Sequence, residues 1–363
     1  MKIIYHTPVP LDPKSPVGCG IRPVRMLQAF YDLGADVTVV AGSANERRKA
    51  INIINKNISD GVVYSFCYSE GPSLPTLLSE KHRLPLHPFL DFHFFSNLKK
   101  NNIPIGLFYR DIYWLEKEHS SGWGPVKNSI ANFFYRYDLK KYQELVDILY
   151  LPSMKMGEHI PYIDINKFKE LPPGCEISNS YENINKKLKI FYVGGMGDHY
   201  QMHELFKGVS NTNTDLCICN RILEWENVKD EYKPYSNINI KVVHKSGKDL
   251  DLLYENCNIA SLFLKPDNYR TFAMPIKLFE YLGRGKPIIA TKGTLAGDFV
   301  EKNKIGWVIN YDSNELINLL NYLSDNLEEV RETQLKVTRL ANNHTWKARG
   351  EQVINDLTEC ESK

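Results

Sequence analysis

The chain has 363 residues, and at roughly 100 to 200 residues per domain this length favours two domains. Hydrophobic residues make up 43% and charged residues 24%, close to globular averages, which excludes a disordered, collagen-like or coiled-coil chain. The formal net charge of +2 gives no electrostatic reason to expect nucleic acid as a partner.

The sequence carries no sign of membrane insertion or of secretion. No stretch approaches the roughly 18 to 20 consecutive apolar residues that a membrane span needs. The first apolar run reaches Pro8 before a signal-peptide core could form, so we expect a cytoplasmic protein. The seven cysteines are scattered and form no CxxC pair, which indicates buried thiols rather than a structural zinc site.

The first half of the sequence alternates short apolar runs with helical patterns. Lys2–Thr7 predicts a strand, and after a loop containing Gly18 and Gly20 a helix is expected to begin near Pro23. Further strands are predicted at 36–42, 62–68, 103–109 and 147–151. Strands separated by helices predict a parallel sheet covered by helices on both faces.

The second half repeats this alternation after a break. Residues 171–187 lose their periodicity and are rich in Asn, Ser, Lys and Pro, which predicts a linker. Strands are then predicted at 189–195, 215–219, 238–244, 259–264, 287–291 and 306–310. We therefore expect an α/β protein with two Rossmann-like domains, 1–172 and 188–344, and a C-terminal helix 345–363 joined to the first. Ligands of open parallel sheets bind beyond the carboxyl ends of the strands, so the two sheets would face an interdomain cleft.

The segment 262–290 contains the most informative pattern of the chain. It predicts a strand, an irregular loop, a helix that starts near Pro275, and a further strand. Lys277 and Glu280 are three residues apart and share one face of that helix. A helix N-terminus with a lysine in its first turn predicts a diphosphate site, and the carboxylate could accept hydrogen bonds from a ribose diol. A surface ion pair between the two side chains is the alternative.

The order of these elements resembles the carboxyl half of GT-B glycosyltransferases that use nucleotide-sugar donors. The resemblance rests on Pro-x-Lys-x-x-Glu-Tyr at 275–281, on Gly-x-Pro-Ile-Ile at 285–289, and on the strands around them. It implies the GT-B fold, with Glu280 holding the nucleotide ribose and Lys277 contacting the phosphates.

The sequence differs at two places from the large family of retaining GT-B glycosyltransferases, and these differences indicate a particular branch of the fold family. Phe272 stands where that family carries the first glutamate of its Glu-x7-Glu motif, and its Arg and Lys after the first strand are absent from 194–200. The pattern is thereby similar to bacterial polysaccharide glucuronosyltransferases of the xanthan-assembly type. Whether the reaction inverts or retains configuration stays open.

We expect further donor contacts from the strand ends beside this helix. Gly195, in a Gly-Gly-Met-Gly turn, would let the backbone approach the donor; the turn is only weakly similar to a nicotinamide-binding fingerprint, because Tyr200 stands at its third glycine. His244 and Lys245 would border the nucleotide base, with a plain strand end as the alternative. The remaining expected donor contacts are Arg221, Arg270, Met274 and Tyr281.

The first half offers a candidate catalytic carboxylate. Asp111 follows the predicted strand 103–109, and a carboxylate at a strand end is suited to take the proton of an acceptor hydroxyl if configuration inverts. The alternative is a helix N-cap. We expect His6 and the 18–22 loop, with Gly18, Gly20 and Arg22, to hold phosphate or sugar.

Two stretches interleave basic and aromatic residues. Residues 127–142 and 88–100 both have this composition, which is typical of a helix lying at a membrane surface. Residues 1–172 also carry 21 basic against 17 acidic residues, so an anionic surface would meet this half. A core-facing helix with a basic exposed side is the alternative for each stretch.

These patterns together predict an enzyme. We expect it to move a sugar from a nucleoside-diphosphate sugar, such as a UDP-sugar, to a glycan or lipid-linked acceptor in bacterial surface polysaccharide assembly. No Asp-x-Asp-like pair follows a predicted strand, so we expect neither a metal nor another cofactor. A nucleotide-sugar 2-epimerase of similar fold and a catalytically inert partner subunit are the alternatives.

Overall fold

The computed structural model describes residues 1–13, 18–115, 124–178 and 187–362. They form two compact units, one made of Met1–Pro173 with the chain from Trp346 onward, the other of Gly174–Thr345. Within the described residues, each unit contains one sheet of six parallel strands. The prediction of parallel sheets in an α/β protein is confirmed.

The first unit is built on a sheet with the strand order β2-β1-β3-β4-β5-β6. Its strands are β1 (Lys2–His6), β2 (Asp36–Val40), β3 (Phe66–Glu70), β4 (Ile105–Phe108), β5 (Ile148–Leu151) and β6 (Phe168–Glu170). Its helices are α1 (Gly18–Asp32), α2 (Ala44–Ser59), α3 (Leu90–Lys100), α4 (Pro125–Leu145), α5 (Met154–Gly157) and, from the end of the chain, α13 (Trp346–Thr358). The order reverses beside β1, so right-handed crossovers place helices on both faces of the sheet.

The second unit has the strand order β12-β11-β10-β7-β8-β9. Its strands are β7 (Lys189–Val193), β8 (Asp215–Cys219), β9 (Ile240–Val243), β10 (Ile259–Leu262), β11 (Ile288–Thr291) and β12 (Gly306–Ile309). Its helices are α6 (His203–Ser210), α7 (Ile222–Tyr232), α8 (Lys248–Glu255), α9 (Ile276–Gly283), α10 (Leu295–Asn303), α11 (Ser313–Asp325) and α12 (Leu327–Ala341). Because all pairs are parallel, the carboxyl ends of the six strands share one edge of the sheet.

The C-terminal helix α13 packs on the first unit. Trp346, Val353 and Leu357 join the core formed by β1, β3 and α1. A Cβ atom at Gly350 would lie 3.3 Å from the Cβ of Ala29, so the missing side chain lets α13 approach α1 closely. Helix α13 thus contributes to the same hydrophobic core as β1 and α1.

Two local predictions in the first unit are wrong. The loop expected at 18–22 is helical, because α1 already begins at Gly18, with Gly20 in its first turn and Pro23 inside the helix. The buried side chain of Arg22 is held by partners in other elements, and these tertiary contacts outweigh the local preference for a later start. Strand β6 was not predicted, since three residues are too few to show a period.

The predicted linker 171–187 is also partly wrong, and 179–186 lie outside the described residues. Leu171 belongs to the core of the first unit and Cys175 to that of the second, each at most 3% exposed. The N–H of Cys175 donates to the carbonyl of His344 at 2.8 Å. The described part of this segment is therefore anchored rather than a flexible tether.

The two basic and aromatic stretches differ in what they expose. In α3, Phe92, Phe94 and Phe95 are each at most 4% exposed, which favours the core-facing alternative for residues 88–100. In α4, Val126, Ile130 and Phe133 are 71%, 50% and 65% exposed. Their spacing of four and three residues places them on one face of the helix. None of the described helices is long and apolar enough to span a membrane.

Candidate functional site

Helix α9 begins at the carboxyl edge of the second sheet and carries three of the predicted site residues, Lys277, Glu280 and Tyr281. Pro275 precedes it in an extended conformation and has no N–H to leave unsatisfied, which favours a helix start at the next residue. The helix ends at Gly283, and Gly285, with a φ of +64°, turns the chain away. Lys277 therefore lies in the first turn and Glu280 one turn further on the same face.

Lys277 reaches across the end of β7, where Gly194 leaves room for it. Gly194 has a φ of +150°, and a Cβ atom at this position would overlap Cε and Nζ of Lys277. The Gly194 N–H donates to the carbonyl of Cys219 at 2.9 Å, which fixes the turn against β8. The Lys277 ammonium lies 5.3 Å from the ring centre of Tyr200 and 5.9 Å from that of Tyr192. It is thereby held against backbone and aromatic rings rather than extended into water.

The charged groups of Lys277 and Glu280 form no hydrogen bond or ion pair within the described residues, although both side chains remain partly exposed. Burial lowers the pKa of Lys277 and raises the pKa of Glu280, and the attraction between the two charges opposes both shifts. An anion beside the ammonium would replace the lost hydration, so the arrangement favours an anionic ligand.

Arg270 places a second cation beside this ammonium. Its guanidinium lies 5.3 Å from the ring centre of Tyr200, which is also the distance between that ring and the Lys277 ammonium. One terminal nitrogen donates to the carbonyl of His199, and Nε lies 3.7 Å from a carboxylate oxygen of Asp267, beyond hydrogen-bond distance. Two cations around one ring match the charge of a diphosphate.

The turn after β7 is fixed by side chains on both sides. The Tyr192 hydroxyl donates to the carbonyl of Gly195 at 2.8 Å, and the Glu224 carboxylate accepts the N–H of Met196 at 3.3 Å. Arg221 pairs with the same Glu224 at 2.7 Å, and its side chain is 70% exposed. The structure thus brings Gly195 and Arg221 to the sheet edge that carries Lys277. Tyr192 and Glu224 were not predicted, since their role depends on the backbone groups they meet.

The other predicted donor residues fall into two groups. His244 and Lys245 are exposed and follow β9 at the same edge, and His244 Nδ1 donates to the carbonyl of Asn220 at 3.0 Å. Met274 is half-buried and packs on the core below α9. Tyr281 is 0% exposed, and its hydroxyl accepts the N–H of Val193 at 3.1 Å. The prediction that Tyr281 contacts the donor is therefore wrong, because its hydroxyl is already used to hold the end of β7.

In the first unit, His6 lies in a buried charge network. Its Nδ1 is 2.8 Å from the Ser69 hydroxyl and its Nε2 is 3.1 Å from a carboxylate oxygen of Asp91. Arg47 donates to both oxygens of the same carboxylate, at 2.9 and 3.0 Å. His6 is only 1% exposed, so both ring nitrogens are used inside the protein. The prediction that His6 holds phosphate or sugar is wrong.

Arg22 is occupied in the same way. It is 2% exposed, donates to the Glu70 carboxylate at 3.0 Å, and stacks 3.4 Å from the ring centre of Phe108. The Glu70 carboxylate is 0% exposed and also accepts the Tyr68 hydroxyl at 2.7 Å. With this side chain buried and Gly18 and Gly20 in a helix, the predicted phosphate loop at 18–22 is not formed.

Asp111 follows β4 at the carboxyl edge of the first sheet, as expected from the sequence. Its carboxylate accepts the backbone N–H of Tyr113, which caps the short helical turn Tyr113–Leu115. Burial raises the pKa of Asp111 to about 6, and the attraction of Arg110 and the Tyr113 hydrogen bond oppose this rise. A carboxylate that ionises near neutral pH is suited to proton transfer.

The described residues contain no cluster of three His, Cys, Asp or Glu side chains that could hold a metal ion.

Comparison with known proteins places these features in a family context. Residues 176–337, which lie within the second unit, match the family of glycosyl transferases group 1. No curated protein sequence matches the chain.

Several solved structures share the fold. Anabaena HepE (Alr3699), in complex with UDP and glucose, is 13% identical, with 99% of this chain and 100% of that chain covered and a TM-score of 0.63. A glycosyltransferase from Rickettsia africae ESF-5 is 13% identical over 99% and 98%, with a TM-score of 0.62. Phytolacca americana UGT2, complexed with UDP-2-fluoro-glucose and pterostilbene, is 9% identical over 99% and 100%, with a TM-score of 0.52. The chain therefore has the GT-B fold, with two Rossmann-like domains, as the sequence predicts.

We expect Arg22 to be structural. Its replacement in Arg22→Met leaves the fully buried Glu70 carboxylate without its closest cation, which should lower the free energy of unfolding by about 3 to 5 kcal/mol. Urea denaturation of the full chain measures this. The double variant Arg22→Met/Glu70→Gln removes both charges and should recover part of the loss. Unchanged stability in the single variant would contradict the structural role.

Proposed function

We propose that the chain is a glycosyltransferase that moves a sugar from a UDP-sugar to a glycan or lipid-linked acceptor. The observation that carries this proposal is the uncompensated Lys277 ammonium at the carboxyl edge of the second sheet, with Glu280 one turn away. The match of the surrounding residues to glycosyl transferases group 1 supports it, and so does the shared fold of two proteins solved with UDP or a UDP-sugar.

The proposed reaction requires the protein to stabilise the leaving diphosphate and to accept a proton from the acceptor hydroxyl. In an inverting transfer the acceptor oxygen attacks the anomeric carbon, its proton passes to a base, and the bond from that carbon to the diphosphate breaks. Lys277 and Arg270 would stabilise the negative charge that develops on the departing diphosphate, which supports a reaction without a metal. Asp111 would take the proton.

The narrower assignment rests on the sequence motif. Pro-x-Lys-x-x-Glu at 275–280, with Phe272 in place of the first glutamate of the retaining motif, supports a place beside bacterial glucuronosyltransferases of the xanthan type. We accordingly propose a cytoplasmic role in surface polysaccharide assembly. Turnover in the presence of excess EDTA, with acceptor present, tests the metal-independent part.

The donor site predicts different effects for its two charged residues. Lys277→Ala should weaken UDP binding by about 10- to 100-fold and uridine binding much less, because one charge-assisted phosphate contact is lost. Glu280→Ala should weaken uridine and UDP alike, because the ribose contact is lost from both. Isothermal titration calorimetry measures each affinity.

Lys302→Ala is a suitable control, since this lysine is exposed on α10 of the same unit. It should leave both affinities unchanged. UDP affinity that is equal in wild type and Lys277→Ala would remove Lys277 from the phosphate site.

The base role of Asp111 predicts a pH signature. Because a base must be ionised, kcat/KM should fall as the pH drops below about 6, the pKa to which burial raises this carboxyl. Asp111→Asn should lower kcat by about a hundred- to ten-thousand-fold and abolish this acidic limb, with UDP affinity preserved. Steady-state kinetics between pH 5 and about 8 measure both.

Asp147→Asn provides the matched control. The Asp147 carboxylate also accepts a backbone N–H, that of Ile105 at 2.8 Å, but it precedes β5 and so lies at the amino edge of the sheet. Its turnover should stay near that of wild type. Retention of configuration in the product, shown by NMR, would exclude Asp111 as the base. Consumption of the donor without acceptor, with an epimer as product, would contradict transfer altogether.

The exposed apolar face of α4 supports peripheral contact with an anionic membrane. Arg136 and Lys140 are exposed and follow Ile130 and Phe133 on the same helix. Full-length protein should co-sediment with vesicles of anionic lipid at low salt and be released as salt rises, because each basic residue near the surface contributes about 1 kcal/mol that ions screen.

The variant Ile130→Ser/Phe133→Ser should lose vesicle binding, because the apolar side chains that would enter the lipid are removed. Ile53→Ser is the control, since Ile53 is 59% exposed on α2. Equal binding by the double variant and wild type would exclude α4 as the contact surface.

A further inference from the structure

The amide of Asn220 is a buried polar group without a partner, next to the Lys277 site. Asn220 follows β8 at the carboxyl edge of the second sheet and is 6% exposed. Neither Oδ1 nor Nδ2 has a hydrogen-bond partner within the part of the chain that is described. Buried polar groups are nearly always paired, so an amide with both atoms unpaired calls for a role.

The backbone of Asn220 is fixed between the two neighbouring strand ends. Its N–H donates to the carbonyl of Val243 at 3.1 Å, and its carbonyl accepts Nδ1 of His244 at 3.0 Å. On the other side, the preceding residue Cys219 accepts the N–H of Gly194, the residue that Lys277 covers. The backbone of Asn220 therefore stands at a fixed position between Gly194, which Lys277 covers, and the end of β9, whereas no hydrogen bond within the described residues holds its side-chain amide.

Asn258 shows that an unpaired amide atom alone does not mark a site. Its Nδ2 is also unpaired and it is 3% exposed, but its Oδ1 accepts the N–H of Lys189 at 2.9 Å. It precedes β10 and so lies at the amino edge of the same sheet. Asn220 differs in having both atoms unpaired and in lying at the edge where α/β sheets bind their ligands.

We infer that the Asn220 amide binds the base of the donor nucleotide. Oδ1 would accept the ring N–H of uracil, and Nδ2 would donate to the adjacent carbonyl oxygen. This inference rests on the proposed function, in which Lys277 and Glu280 hold the diphosphate and the ribose. His244 and Lys245, which follow β9 beside Asn220, would border the same base. An amide offers one donor and one acceptor side by side, as the uracil edge requires. Both atoms are covered in the free chain, so binding turns the amide outward.

Uracil and N3-methyluracil differ only at this edge. The methyl group replaces the ring N–H, so UDP and N3-methyl-UDP isolate the contact of Asn220 from those to ribose and diphosphate, whereas a flipped amide would pair with cytosine as well as with uracil. A site built to hydrogen-bond one edge discriminates against a ligand that lacks it.

Calorimetric titration of the full chain with UDP and N3-methyl-UDP tests the inference. Wild type should prefer UDP, and Asn220→Ala should lose about tenfold in UDP affinity, with the affinity for N3-methyl-UDP changed less than about twofold. Asn220→Ser serves as a second variant if the first does not fold. Asn258→Ala, the matched control, should leave the ratio of the two affinities as in wild type.

The outcomes separate this inference from the proposed function. If wild type binds UDP, and the ratio of UDP affinity to N3-methyl-UDP affinity is the same in wild type, Asn220→Ala and Asn220→Ser, the role of Asn220 alone is overturned. An equal change of the ratio in Asn258→Ala overturns it as well, since the effect would not be local. Absence of UDP binding by wild type overturns the donor site and this inference together.

Discussion

The contact between Lys277 and the backbone at Gly194 is the constraint on which the geometry at the carboxyl edge of the second sheet depends. A side chain at position 194 would occupy the space of the ammonium, and a φ of +150° is one that residues with a Cβ atom rarely adopt. Held there, the ammonium loses water without gaining a counterion, which is why its pKa falls. A ligand phosphate would restore the missing interaction. Burial of the Lys277 ammonium is therefore unfavourable in the free chain and would become favourable when an anion binds beside it.

The same turn organises the neighbouring strand ends. Because the Gly194 N–H is bonded to Cys219, the start of the loop after β8 cannot shift independently of the loop after β7. Glu224 binds the next part of the turn through Met196 and holds Arg221 as well. The turn after β7 is therefore held by hydrogen bonds to its backbone, and Arg221 is held by its ion pair with Glu224. This is the kind of preorganisation that a binding site needs.

The two units share one architecture but differ in how their buried charged side chains are paired. In the first, buried side chains at the carboxyl ends of β1 and β3 pair with side chains of helices, as His6 with Asp91 of α3 and Glu70 with Arg22 of α1. Removing one partner there would strand a buried charge, so these groups serve stability. In the second, Lys277 and Glu280 have no such partners among the described residues. Position at a strand end is therefore a poor guide to function until the partners are known.

This difference also shows what the sequence could and could not predict. Buried parallel strands are continuous apolar runs, so eleven of the twelve described strands were predicted within a few residues, and only the three-residue β6 escaped. Lys277 and Glu280 could be placed because their spacing lies within one helix. His6 and Arg22 were misjudged because their partners, Asp91 and Glu70, are 85 and 48 residues away in the chain. No local pattern records that separation.

The sequence offers two roles for Asp111, a catalytic base and a helix N-cap, and these roles do not exclude each other. A cap uses one lone pair of a carboxylate, and the carboxylate has about four such sites. The Tyr113 N–H fixes its direction and opposes the rise in its pKa, while burial produces that rise. The balance leaves a carboxyl that is half ionised near pH 6, since its pKa is raised to about 6. In the proposed transfer the capping contact would supply the fixed orientation that proton transfer requires, because a base must meet its proton at a defined angle and distance.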